Sequence, residues 1–200
     1  AIRFGLSAVK SLGRPTIKAI IDERNKSRFT SMQDFISRLY TDLNKRTLEN
    51  LIKSGAFDTF GNNRRQMMSV YARMLDNEAK QGKDAISGQM SLFDLVDESE
   101  KSQFEIKMPD VSEYTKEDIL AFEKEVLGVY VSGHPLDEYA AMWKKHISAM
   151  STDFELDDET GEPKVKVDSK ATIGGMIMAK SVKPTKTGQL MAYLTIEDLV

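Results

Sequence analysis

Over the first 75 residues the apolar side chains recur at helical spacing, and each run is cut by a glycine or preceded by a helix-capping residue. Leu6, Val9 and Lys10 suggest a short helix that ends at Gly13. Pro15 or Thr16 opens the next, with Ile17, Ile20 and Ile21 on one side, because proline is tolerated in a helix's first turn. Thr30-Ser31 caps a run that buries Phe35, Ile36 and Leu39. Asn44 caps another carrying Leu48, Leu51 and Ile52, which Gly55 terminates. Asn62 or Asn63 then begins a helix with Met67, Met68, Tyr71, Met74 and Leu75 on a broad apolar face. The first third of the chain is therefore all helical, joined by short glycine-containing turns.

Downstream the periodicity lapses and returns. Residues 76–110 are polar and charged and read as a mobile linker, yet they enclose "SGQMSLFDLV", a greasy cluster from Ser87 to Val96. Helix resumes at 115–127, where Thr115 caps and Ile119, Leu120, Phe122, Val126 and Leu127 are apolar. Pro135 begins a further helix through Leu136, Tyr139, Met142 and Trp143, with Tyr130 and Trp143 assigned to the core. An acidic loop, "DFELDDETGEPK", precedes two β-like runs around Lys183-Pro184-Thr185-Lys186-Thr187-Gly188. Two strands alone are marginal, so this hairpin reads as the truncated start of a larger sheet, and its free edges invite pairing with another copy. The expected fold is mainly α with a terminal β-hairpin, divided into 1–77, 78–110, 111–163 and 164–200.

The 200 residues contain no cysteine, which excludes a disulfide framework and any thiolate metal site and fits a reducing cytoplasm. No apolar run approaches the roughly 18 residues needed to span a bilayer, so no membrane role is expected. The chain opens on Ala1-Ile2-Arg3 and closes in an apolar stretch at Leu199-Val200, which reads as a piece of something longer. Its net charge of −3 is strongly segregated. Residues 1–74 hold 14 Lys/Arg against 6 Asp/Glu, and residues 75–125 hold 6 against 14. A basic first third is the footprint of a phosphate-binding surface, and the acidic middle should repel nucleic acid.

Two helical hairpins carry that basic charge. In "LSAVKSLGRPTIKAIIDER", Lys10, Ser11, Gly13, Arg14, Thr16 and Lys18 surround a tight turn. In "LNKRTLENLIKSGAFDTFGNNRRQMM", Gly55 and Gly61 bound a turn before Asn62, Asn63, Arg64 and Arg65. Such turns aim backbone N–H groups and a helix N-terminus at solvent, where a phosphate is the natural ligand. Two of them can grip two phosphate runs without reading bases. The plainer reading is two ordinary helical turns with solvated charges. His134 and Asp137 in "VSGHPLDEY" suggest a turn rather than catalysis, since no second histidine is near to share a metal. Asp157 and Asp158 read as solvated loop carboxylates.

Five blocks in fixed order, "IRFGLSAVKSLG", "LNKRTLENLIKSGAFDTFGNNRRQMM", "QMSLFD", "FEKEVLGVYVSGHPLDEY" and "ATIGGMIMAKSVKPTKTGQLMAYLTIEDLV", resemble the C-terminal half of the alpha subunit of bacterial DNA polymerase III. The resemblance covers essentially the whole chain and is closer to the DnaE type than to the PolC type. It implies a tandem helix–hairpin–helix region over the first third that contacts double-stranded DNA. Ser11 stands where that motif carries its first glycine. It also implies a sliding-clamp-binding motif at Gln89, Met90, Ser91, Leu92 and Phe93, and an OB-fold beginning in the terminal hairpin. Other replisome subunits would be partners through the parent protein. The parent is expected to use Mg2+ at palm carboxylates upstream, none of which is assignable here, so the fragment itself is expected to be inactive with no cofactor of its own.

A clamp groove that buries Leu92 and Phe93 gains roughly 1.5–3 kcal/mol for each, and Gln89 adds hydrogen bonds of about 1 kcal/mol. Ordering a flexible segment offsets much of this, so the contact is expected to be micromolar or looser. Proximity on shared DNA then supplies processivity without tight binding. If Leu92, Phe93 and Leu95 instead pack on the chain's own core, the fragment is a helical protein-interaction module with no DNA role.

Overall fold

A computed structural model describes residues 4–86 and 106–199. The candidate clamp motif, Gln89 to Phe93, lies outside the described residues. Those described form six α-helices and one two-stranded antiparallel sheet, a mainly α chain with a small β part, as the sequence predicts. The helices are α1 (Arg14–Lys26), α2 (Met32–Leu39), α3 (Lys45–Lys53), α4 (Arg64–Ile86), α5 (Lys116–Leu127) and α6 (Ala140–His146). The strands are β1 (Met176–Pro184) and β2 (Leu190–Glu197). The chain divides into two compact units, Ala1–Ser132 and Gly133–Val200. Helix α5 thus belongs with the first unit, where the sequence grouped it with residues 111–163.

Helix starts in the first unit follow capping chemistry. Ser31 Oγ accepts from the Asp34 N–H at 3.0 Å and so caps α2, while the Asp34 carboxylate accepts from the N–H of Thr30, the residue before the cap, at 2.9 Å. Asn44 Oδ1 accepts from the Thr47 N–H at 2.9 Å and opens α3, and Thr115 Oγ1 does the same for Asp118 in α5 at 3.1 Å. The apolar faces then meet in one core that includes Met32, Phe35, Ile36 and Leu39 of α2, Leu48, Leu51 and Ile52 of α3, and Met67, Val70 and Met74 of α4. Phe29, Phe35, Phe57 and Phe60 run through it as successive ring contacts with centroids 4.9, 4.9 and 5.6 Å apart.

Helix α4 continues to Ile86, well into the region that the sequence assigned to linker. Its later residues include good helix formers such as Glu78, Ala79, Lys80 and Gln81, and Gln33 of α2 holds Glu78 through a 2.6 Å hydrogen bond. Gly82 is needed there for close approach, because a Cβ would stand 2.3 Å from the Tyr40 hydroxyl. The polar, mixed-charge composition of residues 76–86 hides this helix from the sequence by removing its apolar period.

Ser11 has φ +65°, a left-handed conformation that costs a residue with a Cβ roughly 1–2 kcal/mol. Ser11→Gly is therefore expected to stabilise the first unit by about 0.5–1 kcal/mol in a denaturant titration, after the extra chain entropy of glycine is subtracted. A loss of stability would show that the Ser11 side chain contributes more than its backbone costs.

In the second unit His134 acts as a turn residue, as its place before Pro135 suggests. Nδ1 accepts from the Leu136 N–H at 3.1 Å while Asp137 accepts from the His134 N–H at 2.8 Å. Pro135–Tyr139 is a 3-10 turn that leads into α6. Trp143 is buried as expected, whereas Tyr130, in the first unit, is only half-buried beneath Lys124, 4.8 Å from its ring centre. Asp157 accepts from the Glu159 and Thr160 N–H groups and so organises the acidic loop. Strands β1 and β2 pair from Met176↔Glu197 to Pro184↔Leu190 with an irregularity between Ile177 and Ala179. Apolar side chains along both strands are exposed, among them Ile177, Val182, Leu190 and Tyr193.

Candidate nucleic-acid interface

The first hairpin turn is held from below by two buried polar residues of α3. Asn50 Nδ2 donates to the Lys10 carbonyl at 2.7 Å, and the Thr47 hydroxyl donates to the Ser11 carbonyl at 3.3 Å. The Lys10 N–H donates to the Val126 carbonyl of α5 at 2.9 Å. With these carbonyls tied inward, the N–H groups of Ser11, Gly13, Arg14 and Thr16 have no hydrogen-bond acceptor among the described residues. Gly13 is the N-cap of α1 and supplies no side chain, and Pro15 has no N–H. Lys10, Ser11, Gly13, Arg14 and Lys18 are exposed, while Thr16 is half-buried and its hydroxyl donates to the Asp42 carbonyl at 3.2 Å. The result is a set of unpaired donors at a helix start with three cations around it, the arrangement that accepts an anionic oxygen.

The second hairpin is built differently. Asn63 and Gln66 cap each other, N–H to side-chain oxygen, at 2.8 and 3.0 Å. The Arg64 and Arg65 N–H groups both donate to the Glu113 carboxylate, at 2.8 and 3.1 Å. Asn63 Nδ2 reaches the Val111 carbonyl and Gln66 Nε2 the Pro109 carbonyl, so residues 109–113 lie across the start of α4. Ile106 and Met108, just before them, pack on the core. A carboxylate from the chain itself already occupies the place where a phosphate would sit.

Arg64 departs furthest from its expected role, because it is buried rather than presented to solvent. Its guanidinium meets Asp58 at 2.7 and 3.0 Å, Glu123 at 3.2 Å and the Lys53 carbonyl at 3.0 Å. Glu123 is fully buried and accepts from the Val131 and Ser132 N–H groups, both at 2.8 Å, and from the Ser132 hydroxyl at 2.5 Å. Gly55 makes room for this cluster: it has φ +77°, and a Cβ there would stand 2.3 Å from an Arg64 nitrogen. Gly61 and Asn62 complete the turn, Gly61 with φ +82°. Arg65 remains exposed, 5.9 Å from the centre of the Tyr114 ring.

Burial alone would raise the Glu123 carboxyl, but its bonds to Ser132 and Val131 and the nearby Arg64 charge outweigh that and hold it below the usual range. A depressed carboxylate contributes stability that is fully present above its unfolded value, about pH 4.5, and is lost as pH falls through the folded value. Acid unfolding of the first unit is therefore expected to steepen below pH 4.5, and Glu123→Gln should flatten that limb in a pH series of melts.

The sequence did not point to Glu113, Glu123, Lys45 or Arg46. A signal existed for Glu123, a charge three residues after Leu120 and before Val126 on the buried side of α5. Lys45 and Arg46, at the start of α3, border the first hairpin turn. Among the described residues no three His, Asp or Glu side chains form a group able to hold a metal ion, and no helix is long and apolar enough to cross a membrane.

Residues 1–67 match the family described as helix-hairpin-helix motif, a span that includes both turns. Beyond it, the similarity continues along nearly the entire chain. The DNA polymerase III subunit alpha of Mycobacterium leprae is 34% identical over 200 residues, 99% of this chain. Those of Borreliella burgdorferi and Thermus aquaticus are each 36% identical over 98% of it. The chain is a homologue of a segment of bacterial DNA polymerase III alpha subunits. It spans only 15–17% of the length of these polymerase relatives. Against that match the two hairpins are unequal, one with open donors and one closed by its own carboxylate.

Proposed function

We infer that this chain is the region of a bacterial replicative polymerase that holds the backbone of duplex DNA and tethers the enzyme to its sliding clamp. The observation that carries the DNA half is the first hairpin: unpaired N–H groups from Ser11 to Thr16, ringed by Lys10, Arg14 and Lys18. These groups recognise charge and geometry without base identity, as a polymerase working on any sequence needs. Binding to a short duplex should weaken steeply with salt, with a log–log slope of about −0.9 for each phosphate neutralised. Salt-independent binding, or none, would favour the reading as a helical protein-interaction module.

The clamp half rests on the residues Gln89, Met90, Ser91, Leu92 and Phe93 and their likeness to a clamp ligand. Leu92→Ala/Phe93→Ala is expected to lose at least tenfold in affinity for the sliding clamp from the same organism, measured by titration calorimetry. Unchanged affinity would place the contact elsewhere. The exposed apolar hairpin β1–β2 is consistent with the first strands of an OB domain. In the parent enzyme, Mg2+ would supply the charge stabilisation for nucleotide transfer, and other replisome subunits would assemble through the rest of the chain in the cytoplasm. No described residues here fit that metal, so no step of the reaction is assigned to them.

A further inference from the structure

Beside the first hairpin lies a cleft of about 610 Å3 lined by Lys10, Ser11, Lys45 and Arg46 and also by Glu49 and Glu125. Both carboxylates turn to Lys53, at 2.9 and 3.1 Å, which leaves them partly neutralised. Lys10 and Arg46 have no acidic partner among the described residues. Lys45 pairs with Asp76 at 2.8 Å, but both side chains are more than half exposed, so a phosphate can displace that contact at little cost. The cleft therefore offers three cations continuous with the unpaired backbone donors of the first turn. At the second hairpin, by contrast, the Arg64 and Arg65 N–H groups are already taken by Glu113.

We propose that the DNA backbone leaves the first hairpin across the start of α3, where Lys45 and Arg46 bind the adjoining phosphates, and not across the second hairpin. This inference rests on the duplex-binding reading above and specifies its path. It assigns phosphate contacts to two residues outside both hairpin turns, and it makes the second hairpin a structural brace for residues 109–113. Because the contacts are to phosphate, they should contribute equally on every sequence.

The test is the salt dependence of binding to a 20-base-pair duplex of arbitrary sequence, for the whole 200-residue chain and its variants. Lys45→Ala/Arg46→Ala is expected to weaken binding and to reduce the log–log salt slope by about two, while Arg65→Ala leaves the slope unchanged. Lys45→Gln/Arg46→Gln, with a melting curve beside it, repeats the measurement with uncharged polar side chains that keep part of the aliphatic stem, and guards against a folding defect. A slope that survives both double variants overturns the proposed path while leaving the hairpin reading intact, as does a slope lost only in Arg65→Ala. Absence of duplex binding by the unmodified chain overturns both.

Discussion

Replacing Arg64 with methionine is expected to lower the stability of the first unit by about 3–5 kcal/mol, because it leaves the Glu123 carboxylate buried without its cation. Since a domain is typically stable by only about 5–15 kcal/mol, the variant should be largely unfolded under mild denaturant. Burial disfavours the Arg64 charge, yet Asp58 and Glu123 together hold the guanidinium protonated even more firmly than usual. The cluster ties four separate pieces of chain: the end of α3 through the Lys53 carbonyl, the turn through Asp58, the start of α4, and α5 with its following residues through Glu123. Arg64→Met/Glu123→Leu should recover much of the loss, since removing a buried pair together costs far less than orphaning one member. Urea titrations of the wild type, both single variants and the double variant give the coupling directly. If Arg64→Met costs under about 1 kcal/mol, the guanidinium is not the buried clasp described here.

The second large effect is on binding. Lys10→Glu/Arg14→Glu is expected to raise the dissociation constant for duplex DNA by about 100-fold, at roughly 1.4 kcal/mol or tenfold per reversed charge. The two side chains are exposed at the first turn, so stability should change little and melting curves should nearly superimpose. Unlike the substitution of Arg64, this change separates binding from folding. Fluorescence anisotropy at several salt concentrations should show a shallower slope as well as weaker binding. Full retention of affinity would contradict the assignment of the first turn as the phosphate grip.

Much of the helical framework is legible in the sequence, because caps and apolar spacing are local signals. Ser31, Asn44 and Thr115 each announce a helix that begins one residue later. The unusual backbone at Ser11 is also legible, as a serine standing where the motif has glycine. Arg64 is buried and Arg65 exposed for a geometric reason: adjacent helical residues point about 100° apart. Arg64 shares the inward face with Met67 and Met68, three and four residues on, whereas Arg65 faces outward. The two arginines are therefore not one basic patch. Glu113 was beyond reach for another reason, since its partners lie 48 and 49 residues earlier and no local pattern announces the contact. The extension of α4 to Ile86 is not legible because its charged helix formers carry no apolar period.

The two hairpins differ in what their N–H groups have left to offer, and backbone amide spectra report on those groups individually. A 15N-labelled chain titrated with a short duplex at low salt should show shifts at the Ser11, Gly13, Arg14 and Thr16 amides, which lack internal acceptors. The Arg64 and Arg65 amides, bonded to Glu113, should stay in place. Shifts confined to Arg64 and Arg65, with the first turn unmoved, would contradict the account.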